Sequence, residues 1–281
     1  MSFLRSPRFW RHTVLNLLTF LAVAWAVGPM IWAVSSSFKA LDEIYSFPPT
    51  MLPLRPTLAN YQVILEGENF LRYFLNSGIV TVVSVVITVV LALLGAYAFA
   101  RFKFPMRAFL LLLVLVPRII PSITRVVPLY QLWAELEMLN TYTALILPYA
   151  ADALPIGIWI LIGFFQAIPK ELEEAAMIDG CSRFGALWRV IIPLTLPGVV
   201  AVALFTFLRS WNEFILAFTF VDTDAMRTVP VAHYQVFEFF GVRHWGAINA
   251  FTVLAAMPIV IFFLIFEKHM VRSLTAGSVK G

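Results

Sequence analysis

Hydrophobic residues run along this chain in long blocks, and the polar residues gather in short segments between them. Residues 14–34 form 21 consecutive positions without a charge, and a helix needs about 20 apolar residues to cross the hydrocarbon core of a bilayer. A second charge-free block, 73–100, ends at Arg101 and Lys103. The third, 108–127, is interrupted by Pro117, Arg118, Pro121 and Arg125. The fourth, 142–165, carries Asp152 and Pro155; the fifth, 193–220, carries Arg209 and Glu213; the sixth, 246–266, has Pro258 near its middle. This pattern predicts an all-α integral membrane protein with six transmembrane helices in a single domain spanning 1–281. Proline inside a span removes a helix hydrogen bond and is tolerated where neighbouring protein or a wet cavity satisfies the freed group.

Composition agrees. The 281 residues are 61% hydrophobic and 13% charged, with a mean hydropathy of +0.87, against roughly 45–50% and about 25% in soluble domains. The net charge of +4 does not mark a nucleic-acid surface, because the basic residues are divided among the inter-span segments. Cytoplasmic loops carry the Lys and Arg excess. With the N-terminal segment inside, Arg5, Arg8, Arg11, Arg101, Lys103, Arg107, Lys170, Arg183, Arg189, Lys268, Arg272 and Lys280 fall on inner segments, twelve of the twenty basic residues. The first outer segment, 35–71, holds Asp42, Glu43, Glu66 and Glu68 against Lys39 and Arg55. Both termini, including a tail over 267–281, are therefore expected in the cytoplasm. The first block exceeds the usual 7–15 apolar residues of a secretory signal and reads as a retained helix.

Cys181 is the only cysteine and the four histidines show no ligand-like spacing, so no disulfide and no metal site is expected. No G-x-x-x-x-G-K-[ST] phosphate loop occurs, so this chain is not expected to hydrolyse ATP.

The segment between the fourth and fifth blocks, 166–192, is built unlike a plain connection. Pro169 suits the first position of a helix, and Glu171, Glu173 and Glu174 crowd its positive end. Gly180 suits the left-handed position just beyond its last turn. A helix of about 11 residues, roughly 16 Å long, is predicted, followed by a second short helix capped by Ser182. Its acidity suits anionic lipid poorly, and adjacent Ala175 and Ala176 permit close approach; a protein partner fits better than lipid.

This segment resembles a known family. Glu174-Ala175-Ala176, three residues, Gly180, nine residues and Val190-Ile191-Ile192-Pro193 are similar to the EAA signature of binding-protein-dependent ABC importer permeases, whose usual ending is Ile-x-Leu-Pro. Pro56-Thr57-Leu58-x-Asn60-Tyr61, Ser210-Trp211-Asn212 and the ending Leu274-Thr275-Ala276-Gly277-Ser278-Val279-Lys280-Gly281 resemble the carbohydrate-uptake branch, in particular the second permease of maltose- and trehalose-type importers. The resemblance implies a six-helix permease bundle in a bacterial inner membrane, with a cytoplasmic coupling helix. Glu171, Glu174, Ala175, Ala176, Asp179 and Gly180 would engage a separate ATPase chain. The implied partners are a second permease, two ATPase subunits that hold ATP and Mg, an extracytoplasmic solute-binding protein, a sugar and membrane lipid. No cofactor is implied on this chain itself.

Charges inside a membrane are costly and mark functional candidates. Arg118 and Asp152 are candidates for the translocation pathway or for an ion pair with each other; Arg125 is expected to snorkel to the outer interface. Arg209 and Glu213, four residues apart on one helical face, are expected to pair. Beside them, Trp211 and Asn212 combine a stacking ring with an amide, the chemistry that holds sugars. An anionic cargo such as a glycerol phosphate or a uronate, met by Arg118 and Arg125, is the alternative within the same machine. A secondary transporter is the alternative from another class, and would not need the acidic helix.

Overall fold

The computed structural model describes residues 7–67, 69–240 and 244–276, with side chains from 11 to 267 within those limits, except that of Phe240. Arg5, Glu68 and the tail residues 277–281 thus lie outside the described residues, as do the side chains of Arg8, Lys268 and Arg272. Among the described residues the chain is helical, with fourteen α-helices. These are α1 (Pro7–Ser37), α2 (Leu41–Ile44), α3 (Ala59–Leu65), α4 (Phe70–Arg101), α5 (Arg107–Leu115), α6 (Val126–Glu135) and α7 (Tyr142–Ala167), then α8 (Lys170–Ile178), α9 (Arg183–Ala186), α10 (Ile192–Leu194), α11 (Leu196–Trp211), α12 (Ile215–Phe220), α13 (Val229–Phe240) and α14 (Trp245–Ala276). Four stretches are long and apolar enough to span a membrane uninterrupted: Arg11–Ser37, Phe70–Arg101, Tyr142–Ala167 and Trp245–Glu267. Near the other two predicted spans, 108–127 and 193–220, the structure has instead two sharply bent helix pairs, over Arg107–Glu135 and Arg183–Trp211. Arg107–Arg118 and Ser122–Glu135 meet at 90°, where Pro117 and Pro121 remove successive backbone donors. Arg183–Leu194 and Leu196–Trp211 meet at 78° at Thr195, between Pro193 and Pro197.

The chain divides into two compact units. The first comprises residues 1–68 and 233–256. Here α1 ends in a buried polar run, Ser35, Ser36, Ser37 and Lys39. The last carbonyls of a helix lack partners within it, and the segment around α3 supplies them. Asn60 donates from Nδ2 to the carbonyls of Ser37 and Lys39 at 2.9 and 2.8 Å, and the Thr57 amide donates to Phe38 at 2.8 Å. The Tyr61 hydroxyl meets Ser37 Oγ at 2.7 Å. The Pro56-Thr57-Leu58-x-Asn60-Tyr61 motif is therefore a clasp on the end of α1. Gly246 lies against it, since a Cβ there would stand 2.5 Å from the Asn60 amide.

The second unit comprises 69–232 and 257–281. Its centre is the packing of α4, α7 and α11 on one another. A stripe of small and polar residues on α4, Val80, Ser84, Thr88, Ala92 and Ala96, is buried at four-residue spacing, which lets helix backbones approach closely. Ser84 and Thr88 donate to the Ile146 and Ala150 carbonyls of α7, each at 3.4 Å. Gly157 of α7 sits where the three helices converge: an added Cβ would lie 3.0 Å from both Ala92 Cβ and Val202 Cγ1. One apolar cluster joins Tyr97, Leu161, Phe165, Leu187 and Val202; another joins Val80, Trp133, Tyr149, Leu216 and Phe220.

Candidate coupling and translocation sites

The acidic helix is α8, Lys170–Ile178, nine residues against the predicted eleven. The difference lies at both ends. Pro169 has extended backbone (ψ 138°) and stands just outside the first turn, and Asp179 leaves helical geometry. Beyond it Gly180 is left-handed, with φ +91°. The Cys181 amide donates to the Ala176 carbonyl at 3.0 Å and the Gly180 amide to Met177 at 3.1 Å, the Schellman arrangement that closes a helix. Ser182 Oγ then accepts the Gly185 amide at 3.1 Å and starts α9.

What holds α8 in place is a buried charge cluster. Glu173 forms an ion pair with Arg101, its carboxylate 3.1 Å from Nε, and the two side chains are only 7% and 5% exposed. The Tyr97 hydroxyl donates to the other Glu173 oxygen, and Arg101 also donates to the Ile168 carbonyl at 3.1 Å. Tyr97 in turn meets Phe102 and Phe165 edge-on, at 5.7 and 6.3 Å between ring centres. One carboxylate thereby ties α8 to the last turns of α4 and to the end of α7. Glu173 was legible in sequence only as one of several acidic residues in a first turn; Tyr97 and Arg101 were not legible as its partners.

With Glu173 and Ala176 turned inward, the remaining residues face out. Glu171, Glu174, Ala175, Asp179 and Gly180 are exposed, and Ile178 is 86% exposed. Ala176 thus packs against the chain's own body while Ala175 lies on the surface. Two exposed aromatics, Phe184 and Trp188, stand 6.0 Å apart on the segment that packs against α8. The arrangement presents carboxylates and bare apolar side chains on a rigid, short helix.

The intramembrane charges are arranged differently from expectation. Asp152 lies ten residues into α7, about 15 Å along the helix. Its carboxylate receives Arg125 Nη1 at 2.5 Å, while Arg118 Nη1 donates to its backbone carbonyl at 3.3 Å. Arg125 therefore has a partner on α7: after the break at Pro121, the guanidinium of the Ser122–Arg125 segment reaches that helix. Beside this pair lies a cavity of about 570 Å³ lined mainly by apolar side chains, among them Leu129, Trp133 and Pro148.

The expected Arg209–Glu213 pair does not form. The helix ends at Trp211, so the i, i+4 relation is lost. Glu213 accepts the Tyr149 hydroxyl at 2.7 Å and the Leu216 and Ala217 amides at 2.9 and 3.1 Å, capping α12. Trp211 is buried, parallel to Phe207 at 5.7 Å and edge-on to Phe74 at 6.2 Å. Asn212 is exposed and donates to the Leu208 carbonyl at 2.8 Å. Of the four pathway candidates, Arg118 and Asp152 are brought together; Trp211 and Asn212 are neighbours whose side chains face a packed core and the surface respectively.

Residues 88–275 match the family described as the inner membrane component of binding-protein-dependent transport systems. The chain belongs to this family. The match takes in α8 with its glycine end, the Asp152 cluster and the Trp211 region. A sulfoquinovosyl glycerol transport system permease of Agrobacterium fabrum is 39% identical over 253 residues, 90% of this chain and 88% of that protein. A trehalose transport system permease of Mycobacterium tuberculosis is 36% identical over 275 residues, 96% of this chain and 98% of that one. A trehalose/maltose permease of Thermococcus litoralis is 38% identical over 255 residues, 90% of this chain and 91% of that one. Among solved structures, a chain of a bacterial ABC transporter that imports alginate has the same fold, with a TM-score of 0.81 over 94% of this chain and 97% of that one, at 21% identity. As a member of the inner membrane component family, the protein is a multi-pass transport subunit and not an enzyme.

Proposed function

We propose that this chain is a permease subunit of an ATP-driven, binding-protein-dependent sugar importer, and that α8 is the element through which a separate ATPase subunit drives it. One observation carries the reading: α8 is fixed to α4 by the buried Glu173–Arg101 pair while Glu171, Glu174, Ala175 and Ile178 remain uncovered. A helix clamped on one face and bare on the other transmits a push from a docked partner into the helix it is clamped to. Counting each bent pair as one span gives six spans, with both termini and α8 in the cytoplasm, the side favoured by the Lys and Arg excess.

In this reading the ATPase pair holds ATP and Mg, a second permease supplies the other half of the passage, and an extracytoplasmic binding protein delivers the solute. Glu171, Glu174, Ala175, Asp179 and Gly180 form the docking face, and Ala176 seats the helix behind it. Arg118 and Asp152 flank the passage where the third span is broken. The permeases named above for trehalose and for trehalose/maltose favour a sugar as cargo.

The test is uptake by the complete complex in proteoliposomes with labelled trehalose and maltose. Glu174→Lys reverses charge on the docking face without touching the core. Insertion and basal ATP hydrolysis should persist while uptake falls. Full uptake by this variant would remove α8 from the coupling path.

A further inference from the structure

Within the first unit, the C-terminal end of α1 and the first turns of α14 enclose a cavity of about 390 Å³ that shares no residue with α8 or the Asp152 cluster. Both charges on its wall are already engaged. Lys39 donates from Nζ to the Thr50 carbonyl and stands 4.5 Å over the Trp32 ring. The Glu43 carboxylate accepts the Thr50 hydroxyl at 2.9 Å, the Leu54 amide at 2.7 Å and the Arg55 amide at 3.5 Å. Opposite in sign and satisfied from within, they leave no free ion for a charged ligand.

The remaining wall is aromatic and neutral-polar. Trp32 and Trp245 are 39% and 40% exposed. Ser36 is only 4% exposed and lines the cavity. Its hydroxyl can donate to or accept from a ligand hydroxyl. Asn249 donates one N–H to the Trp245 carbonyl at 2.7 Å, which orients its amide and leaves that amide's oxygen to receive a ligand. Indole rings beside neutral donors and acceptors suit a ligand with apolar C–H faces rimmed by hydroxyls.

We propose that this cavity is a saccharide-binding site at the extracytoplasmic end of α1, a holding point apart from the Asp152 region. The inference rests on the sugar reading and on the orientation given above. The site would keep a released sugar near the membrane surface between the binding protein and the passage.

The experiment uses the assembled importer in nanodiscs, without its solute-binding protein, and saturation-transfer difference NMR with trehalose and maltose as probes. Wild type should transfer saturation to at least one disaccharide. Ser36→Ala, which removes one hydrogen bond and little volume, should weaken binding about twofold to tenfold. Asn249→Ala should do the same, and Trp245→Ala should weaken it about tenfold or more. Unchanged transfer in all three variants overturns the proposal, leaving the tryptophans as interfacial anchors. Displacement of the disaccharide by phosphocholine also overturns it, by assigning the cavity to a lipid head group. Parallel uptake by the complete complex separates the two readings. If neither disaccharide is taken up, the sugar assignment fails; if uptake proceeds while the nanodisc complex shows no saturation transfer, this site alone fails.

Discussion

Replacing Glu173 by Ala removes the one carboxylate that joins α8 to Arg101 and Tyr97. The guanidinium left behind is 5% exposed in its side chain, and stranding one partner of a buried pair costs about 3–5 kcal/mol. That loss falls on the docking of α8 more than on the α4–α7–α11 core, because the pair is the main polar tie between α8 and α4. If α8 opens locally from the body, 3 kcal/mol raises the open population by about a hundredfold. Hydrogen exchange of the amides in 170–178, followed by mass spectrometry on the purified protein in nanodiscs, reads this directly. Amides in α4 and α7 should change little. Tyr97→Phe, which removes one hydrogen bond and leaves the ion pair, should raise α8 exchange by about tenfold or less. The double variant Arg101→Leu with Glu173→Leu should recover much of the protection, since apolar replacement of a whole buried pair is often neutral. Exchange in Glu173→Ala within about threefold of wild type would refute the claim that this pair, and not general packing, holds the helix.

Gly180 has open space around it, so substitution there is resisted by its φ of +91° alone. Gly180→Ala should cost about 1–2 kcal/mol, read as faster exchange of the last α8 turn, and Gly180→Asn should cost less because Asn tolerates this conformation. Gly157→Leu forces a side chain between α4 and α11 and should lose at least about 1–3 kcal/mol, measured as a fall in the monodisperse yield after solubilisation. Gly163→Ala, with nothing within 4 Å, should leave that yield unchanged. The Leu54 amide, donating to Glu43, is the main cause holding the Glu43 carboxyl below the usual carboxylate range. Its stabilisation of the 43–55 loop is therefore complete above the ordinary carboxylate pKa, about 4.3, and is lost as pH falls through the lower folded value. Exchange in that loop, corrected for intrinsic rates, should rise on acidification in wild type, and Glu43→Gln should show high exchange already at neutral pH.

Much of this protein was legible in order of residues alone. A charge-free block long enough to cross a bilayer leaves a chain few choices, because backbone groups in lipid must bond within their own helix; α4 and α7 run through the apolar blocks 73–100 and 142–165. The end of α8 was equally legible, because a glycine after a helical run needs only local backbone geometry to act as a stop, and Ser182 needs only the amide three residues on.

What the sequence could not settle was which polar groups meet across helices. Asp152 had two arginines within reach, and the turn after Pro121 gave it to Arg125. Arg209 and Glu213 satisfied a helical spacing that the chain abandons at Trp211, so Glu213 turned to Tyr149 and the α12 amides. Glu173 looked no different from Glu174 until folding placed one against Arg101 and left the other bare. Periodicity and caps are decided within a few residues, where covalent geometry limits the options. Partners brought from 60 or more positions away, as Tyr97 is to Glu173 at a separation of 76, depend on how helices pack, and only the folded chain contains that information.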